Sequence, residues 1–128
     1  MLFRMGLRCV IVDDNAAFVT AATELLEREG ITVVGSAAGS AGLAGLARDL
    51  QPDVVLIDVD LGVENGFDAC RRLTAELGSE APPMILVSTY AEHDFAELIA
   101  ASPALGFVSK SELSRAALYA LLNGSRGT

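Results

Sequence analysis

Three runs of four consecutive apolar residues constrain this chain most: residues 9–12, 54–57 and 84–87. A strand with one wet face alternates apolar and polar residues. A strand that is apolar at every position is covered on both faces, as in a parallel sheet sandwiched between helices. Residues 107–109 read as a shorter run of the same kind, and residues 31–35 as a weaker fifth.

Between these runs the apolar spacing changes to three or four. Residues 16–29 place Phe18, Ala22, Leu25 and Leu26 on one face and stop at Gly30. Ser40 reads as the N-cap of a helix over residues 41–50, which Gly42 and Gly45 weaken and Gln51-Pro52 ends. Residues 66–77 carry Phe67, Cys70 and Leu73 and close at Gly78. Residues 91–101 carry Phe95, Leu98 and Ile99 and stop before Ser102-Pro103. Residues 112–122 carry Leu113, Ala117, Leu118, Leu121 and Leu122. Five strand–helix units with short, right-handed connections predict an α/β fold, a five-stranded parallel sheet with helices on both faces. Residues 1–122 read as one domain and residues 123–128 as a polar, frayed C-terminal tail.

At 128 residues and 52% apolar composition, the chain can bury one core of its own. A net charge of −8 argues against a nucleic-acid surface, which needs a cationic face. It suits a protein that binds cations or basic partners, and equally one that is merely soluble. Cys9 and Cys70 sit in apolar patterns without a Cys-x-x-Cys, which reads as free core thiols in a reducing compartment. The N-terminal residues hold no stretch that reads as a signal peptide or membrane span, so a cytoplasmic location is expected.

In such sheets function collects beyond the carboxyl ends of the strands. Asp13 and Asp14 follow the first strand, Asp58 the third, Ser88 and Thr89 the fourth, Ser109 and Lys110 the fifth. Three carboxylates brought together raise one another's pKa. A hard divalent cation relieves that repulsion, and an oxygen-only donor set without His or Cys suits Mg²⁺ better than zinc. Asp14 is alternatively a helix N-cap. An aspartate can attack a phosphoryl group to form an acyl phosphate, with a metal, Lys110 and the Ser88 hydroxyl available to neutralise the incoming oxygens.

The set V-I-V-D13-D14, V-V-L-I-D58, I-L-V-S88 and G106-F107-V-S-K110 resembles the receiver domain of two-component response regulators, in the manner of a chemotaxis regulator. The resemblance covers nearly the whole chain. Asp58 lies 45 residues after Asp13, Ser88 30 after Asp58 and Lys110 22 after Ser88, which matches the family's spacing. The resemblance implies a flavodoxin-like three-layer sandwich of strand order 2-1-3-4-5. It implies that Asp58 accepts a phosphoryl group from a sensor histidine kinase. Asp14, Asp58 and the backbone carbonyl of Asp60 would hold Mg²⁺, with Asp13 acting through a metal-bound water. Ser88 and Lys110 would contact the phosphoryl oxygens, and Phe107 would be the switch aromatic that turns inward as Ser88 moves. The output would be a repacked face made by the fourth helix, fifth strand and fifth helix, not a released product. Its partners would be the kinase and an output domain or protein, with a homodimer through that face among them, and neither nucleic acid nor membrane.

The chain departs from the family's habits in places. Gly62 replaces a common proline, which is expected to loosen the loop after Asp58. Ser111 also replaces a proline, and Thr89 a smaller residue. Asp60 and Tyr90 occupy the two positions that tune phosphoryl lifetime in the family. Tyr90 is expected to shield the acyl phosphate or to be an exposed loop aromatic. His93, the one histidine, is expected at the surface. Two other classes remain open. Asp58-Val59-Asp60 resembles the Asp-x-Asp start of haloacid dehalogenase-type phosphohydrolases, although those place it on their first strand. A receiver-like docking module that is never phosphorylated is the third.

Overall fold

The computed structural model describes residues 6–126. Five strands, β1 (Arg8–Val12), β2 (Thr32–Ala37), β3 (Val54–Asp58), β4 (Met84–Ser88) and β5 (Gly106–Ser109), form a wholly parallel sheet of order β2-β1-β3-β4-β5. Five helices join them: α1 (Ala16–Arg28), α2 (Leu43–Leu50), α3 (Gly66–Leu77), α4 (Ala96–Ala101) and α5 (Arg115–Arg126). The expected flavodoxin-like, doubly covered sheet is therefore the observed one. β3 and β4 are buried at all five positions, whereas β2 lies at an edge and is partly exposed throughout. That exposure explains why its sequence signal was weak.

Side chains alternate across each strand, so the sheet divides the core in two. One half gathers Val10, Val12, Val55, Ile57, Leu86 and Phe107 with Leu43, Phe67, Cys70 and Leu73 from α2 and α3. The other gathers Cys9, Ile11, Val54, Leu56, Ile85 and Val87 with Ala22 and Leu26 of α1 and Leu118 and Leu122 of α5. Each fully buried Leu or Ile contributes about 1.5–3 kcal/mol. Cys9 and Cys70 are free and buried, as expected, and burial pushes each thiol up to about 12.

Several helix boundaries differ from those expected. α1 is capped by Asn15, whose side chain accepts the Phe18 N–H, and not by Asp14. α2 begins two residues late, behind Gly42 in a left-handed conformation. Ser40 is drawn away from a capping role, because its N–H and hydroxyl both donate to the Glu64 carboxylate. The expected fourth helix is split: Glu92–Phe95 form a 3-10 turn and only Ala96–Ala101 are α-helical. Neither segment has a side-chain cap at its start, although the Ser102 hydroxyl donates to Ile99 O at the end of α4. α5 starts later because Lys110–Glu112 make a 3-10 turn and the Ser114 hydroxyl accepts the Ala117 N–H. It continues through Arg126, into the segment expected as a tail. Residues 127–128, and residues 1–5 of the N-terminal segment, lie outside the described residues.

Gly66 fixes the join between β3 and α3. A Cβ there would sit 2.2 Å from the Asp58 carbonyl oxygen, and the Gly66 N–H donates to Val59 O at 2.8 Å. No side chain fits without moving the backbone that carries Asp58. Gly66→Ala is therefore expected to destabilise the fold by about 1–3 kcal/mol or more. Gly45 lies in α2 with nothing within 4 Å of its notional Cβ, so Gly45→Ala is expected to add up to about 1 kcal/mol of helix propensity. Thermal melts moving the two variants in the same direction would contradict this account.

Candidate functional site

Parallel registry assembles the site. Val12 pairs with Ile57, Asp58 with Val87 and Ser88 with Ser109, so the residues at and just past these pairs share one end of the sheet. Asp13 alternates with Cys9 and Ile11, and Asp58 with Val54 and Leu56, so both acids lie on the α1/α5 side. Ser88 alternates with Met84 and Leu86 and lies on the α2/α3 side.

Asp13 and Asp58 are 4% and 7% exposed. Lys110 Nζ lies 2.8 Å from Asp13 Oδ2 and 3.2 Å from Asp58 Oδ2, on a side chain only 13% exposed. Asp13 Oδ1 accepts the Asn15 N–H at 2.8 Å. Asp13 Oδ2 has no aligned hydrogen-bond donor despite the nearby ammonium. Asp58 Oδ1 accepts the Asp60 N–H at 3.3 Å. Carboxylate oxygens of Asp13, Asp14 and Asp58 all lie within 4.8 Å of one another.

One ammonium thus faces two of the three clustered acids. Burial, then the charge of Asp13, raise the Asp58 pKa from 3.8 to about 6, against the pull of Lys110 and the Asp60 N–H. Burial favours the neutral amine of Lys110. The close Asp13 carboxylate and the charge of Asp58 outweigh it, and the lysine pKa rises. The residual negative charge, the oxygen-only donors and the unsatisfied Asp13 Oδ2 fit a hard divalent cation. Asp14 is exposed and has no capping duty, so its carboxylate is available to such an ion.

The remaining expected residues are placed as follows. Asp60 is exposed, and its carboxylate accepts the Gly62 N–H at 3.0 Å. Gly62 has φ +82, a conformation closed to proline, and a Cβ on it would sit 3.1 Å from Asp14 Oδ2. The left-handed turn therefore favours glycine at this position. Ser88 is 2% exposed, and its oxygen accepts the Tyr90 N–H at 3.0 Å. Phe107 is already packed inward, its ring 6.4 Å from that of Phe95. Tyr90 is 59% exposed and meets Phe95 edge-on at 6.2 Å. His93 is exposed, with its Nε2 3.4 Å from Asp94 Oδ1.

Sequence reasoning missed two groups. Phe18, read only as part of an apolar helix face, places its ring centroid 4.1 Å from Lys110 Nζ. Its position four residues after Asp14 puts it in the first turn of α1, at the functional end of the sheet, which was the available signal. Glu64 joins the loop before α2 to the loop after β3 through Ser40, whose hydroxyl also accepts from Arg72. Nothing in the local pattern of Glu64 signals this, because its partner is 24 residues away.

The raised Asp58 pKa has a sign. The folded chain retains a proton that the unfolded chain has released between about pH 4 and about pH 6. The associated stability is complete below the unfolded value and lost as pH rises through about 6. Urea unfolding in chelator should show wild type losing stability relative to Asp58→Asn across that window, with parallel profiles above it. A flat difference would remove the assigned shift.

Comparison with known proteins bears on the whole arrangement. The sequence profile of the response regulator receiver domain matches residues 9–123. PilH of Pseudomonas aeruginosa is 42% identical over 82 residues, covering 64% of this chain and 67% of that protein. Response regulator GacA of the same organism is 35% identical over 106 residues, covering 81% of this chain but only 48% of GacA. A protein-glutamate methylesterase of Halobacterium salinarum is 35% identical over 86 residues, 66% of this chain and 24% of that enzyme. The chain therefore spans less than half of some of the curated relatives it matches. Among solved structures, a LuxR-family two-component response regulator from Aurantimonas superposes with a TM-score of 0.79 at 26% identity, over 92% of this chain and 86% of that one. Fold, profile and relatives agree: the chain belongs to the response regulator receiver domain family.

Proposed function

We propose that this chain takes a phosphoryl group from the phosphohistidine of a sensor kinase onto Asp58 and reports it through the face made by α4, β5 and α5. The observation that carries the reading is the Lys110 ammonium seated between Asp13 and Asp58, with Asp14 beside them. Asp14, Asp58 and the Asp60 carbonyl would hold Mg²⁺, with Asp13 reaching it through water. Bound there, the ion would supply charge neutralisation for the transferring phosphoryl oxygens.

In the transfer, a carboxylate oxygen of Asp58 forms the new O–P bond while the donor P–N bond breaks. The imidazole leaves with the bonding electrons. Lys110 exchanges its contact with Asp58 Oδ2 for a phosphoryl oxygen. Ser88 uses its oxygen as acceptor from Tyr90, so its hydroxyl proton is free to be donated to the phosphoryl group. Loss of the group requires water to attack phosphorus and release the Asp58 oxygen, which makes this a slow reset and not turnover of an external substrate.

Phosphorylation adds nearly two negative charges at Asp58. Phe107 already lies inward, so the modification has only to bias an arrangement that the core accommodates. The reporting face carries a groove of about 480 Å³ lined by Ala91, Phe107, Ala117 and Leu121 with Glu92 and Glu112. Self-pairing would set these acids close to their copies, so a partner with basic residues suits the face better than a second copy of the chain. The phosphohydrolase alternative needs Asp60 as a general acid, but its carboxylate is engaged by its own loop. No helix among the described residues is long and apolar enough to cross a membrane.

Incubation with acetyl phosphate and Mg²⁺, read by intact mass, should add one phosphoryl group to wild type and none to Asp58→Asn. Sustained release of phosphate from a generic phosphomonoester would favour the hydrolase instead, and no labelling by any donor would favour the docking module. Tyr90 lines the groove beside Asp60, where its ring can keep water from the acyl phosphate. Tyr90→Ala should therefore lose the label faster than wild type, and an unchanged half-life would leave Tyr90 a plain loop aromatic.

A further inference from the structure

Phe18 has a place in the site that core packing alone does not explain. Its ring centroid lies 4.1 Å from Lys110 Nζ, well inside the range at which an ammonium is attracted to the face of an aromatic ring. The ring is half-buried at the start of α1, and the lysine side chain is 13% exposed. Little water is present to screen the attraction.

The contact closes a circuit. Asp13 Oδ1 accepts the Asn15 N–H at 2.8 Å, and Asn15 Oδ1 accepts the Phe18 N–H at 3.2 Å. Phe18 then faces Lys110, and Lys110 returns to Asp13 Oδ2 at 2.8 Å. The two hydrogen bonds fix the first turn of α1 relative to Asp13, and so fix where the ring stands. The ammonium has three N–H groups and two carboxylates to face. It donates to Asp58 Oδ2 at 3.2 Å, while its approach to Asp13 is close but off the hydrogen-bond direction. A single directional bond leaves it free to turn. A ring face attracts positive charge without demanding one N–H direction. It can hold the ammonium in place while the ammonium turns from a carboxylate to another oxygen.

We propose that Phe18 is a positioning residue for Lys110, a cation–π back-wall that keeps the ammonium over Asp58 and lets it pass from carboxylate to phosphoryl oxygen without being hydrated. This deepens the phosphoacceptor reading and rests on it. A carboxylate or amide at the same place would compete for the N–H groups, and an aliphatic side chain would fill the space without attracting the charge.

The test compares Phe18→Leu with Phe18→Tyr and Phe18→Trp. Leucine keeps most of the apolar bulk, and the aromatic replacements keep the π face. Thermal melts establish that each variant folds. The first measurement needs neither metal nor phosphoryl donor: the Lys110 side-chain ε-CH₂ resonances in the free protein. In wild type they are expected to show a ring-current shift that Phe18→Leu abolishes and Phe18→Tyr or Phe18→Trp retains. The second is the rate of labelling by acetyl phosphate with Mg²⁺, followed by intact mass. Phe18→Leu is expected to be slower by about three- to tenfold, as loss of a partly desolvated cation–π contact implies. At least one aromatic variant should stay within about twofold of wild type. Lysine resonances indifferent to leucine would overturn the proposal. So would a leucine variant labelled as fast as wild type, or variants that are all equally slow, which would indicate packing alone. If wild type is not labelled at all, the phosphoacceptor reading fails. The resonances would then still decide whether the ring holds the ammonium, but its role in phosphoryl transfer would fall with that reading.

Discussion

One ammonium among three carboxylates is the constraint on which the rest of this structure depends. Lys110 reaches Asp13 and Asp58 from the end of β5, across the ends of β4, β3 and β1. Taking such charges out of water costs several kcal/mol per ion before pairing returns any of it. The pairing here is incomplete, with one ammonium for two buried acids and Asp14 at their edge. The site is therefore a local weakness that the apolar layers on either side of the sheet must support. The raised pKa of Asp58 expresses the same imbalance. A cation, or exchange of partners at Lys110, would relieve it, and on the phosphoacceptor reading the local weakness is also what makes the site reactive.

The fold supports this by fixing backbone, not by satisfying every side chain. β3 is buried along its whole length and hydrogen-bonded on both sides, so Asp58 ends a strand that has nowhere to move. Gly66 lets α3 begin directly against the Asp58 carbonyl. Gly62 turns the intervening loop through a left-handed conformation next to Asp14. Glu64 ties that loop to the one before α2. Each device acts on the main chain around the acids, not on the buried carboxylate oxygens of Asp13 and Asp58.

The sheet and its polar end were legible because both follow from strong, local signals. Uninterrupted apolar runs mark β1, β3 and β4, and each is followed by the residues that matter. The carboxyl ends of parallel strands share one edge whatever the helices do, so Asp13, Asp58, Ser88 and Lys110 could be brought together without knowing a single helix boundary. The helix starts were less legible. Ser40 has the right chemistry for a cap, but a carboxylate 24 residues away claims it. Asp14 and Asn15 both qualify as the cap of α1, and only the geometry of the turn selects Asn15. Phe18 escaped because spacing assigns it to a helix face, whereas its role depends on which residue of another strand–helix unit stands opposite.

On the phosphoacceptor reading, strand alternation also separates the chemistry from its readout. Asp13, Asp58, Lys110 and Phe18 meet on the α1/α5 side of the sheet, whereas Ser88 and Phe107 belong to the α2/α3 side. A change at Asp58 must therefore pass around the ends of the strands to reach the other layer. The Ser88 oxygen holds the Tyr90 N–H, and the Tyr90 ring meets Phe95 edge-on. Phe95 in turn lies within 5.8 Å of Phe67 and 6.4 Å of Phe107. This aromatic cluster is centred on the segment Glu92–Ala101, which is part 3-10, part α-helix, and without a side-chain cap at either start. A short helix without an N-terminal side-chain cap has few interactions of its own to lose. On the phosphoacceptor reading, the segment that must move is short and begins without a side-chain cap. The aromatic rings packed around Phe95 give it alternative positions to settle into, because ring-on-ring contacts tolerate a range of angles.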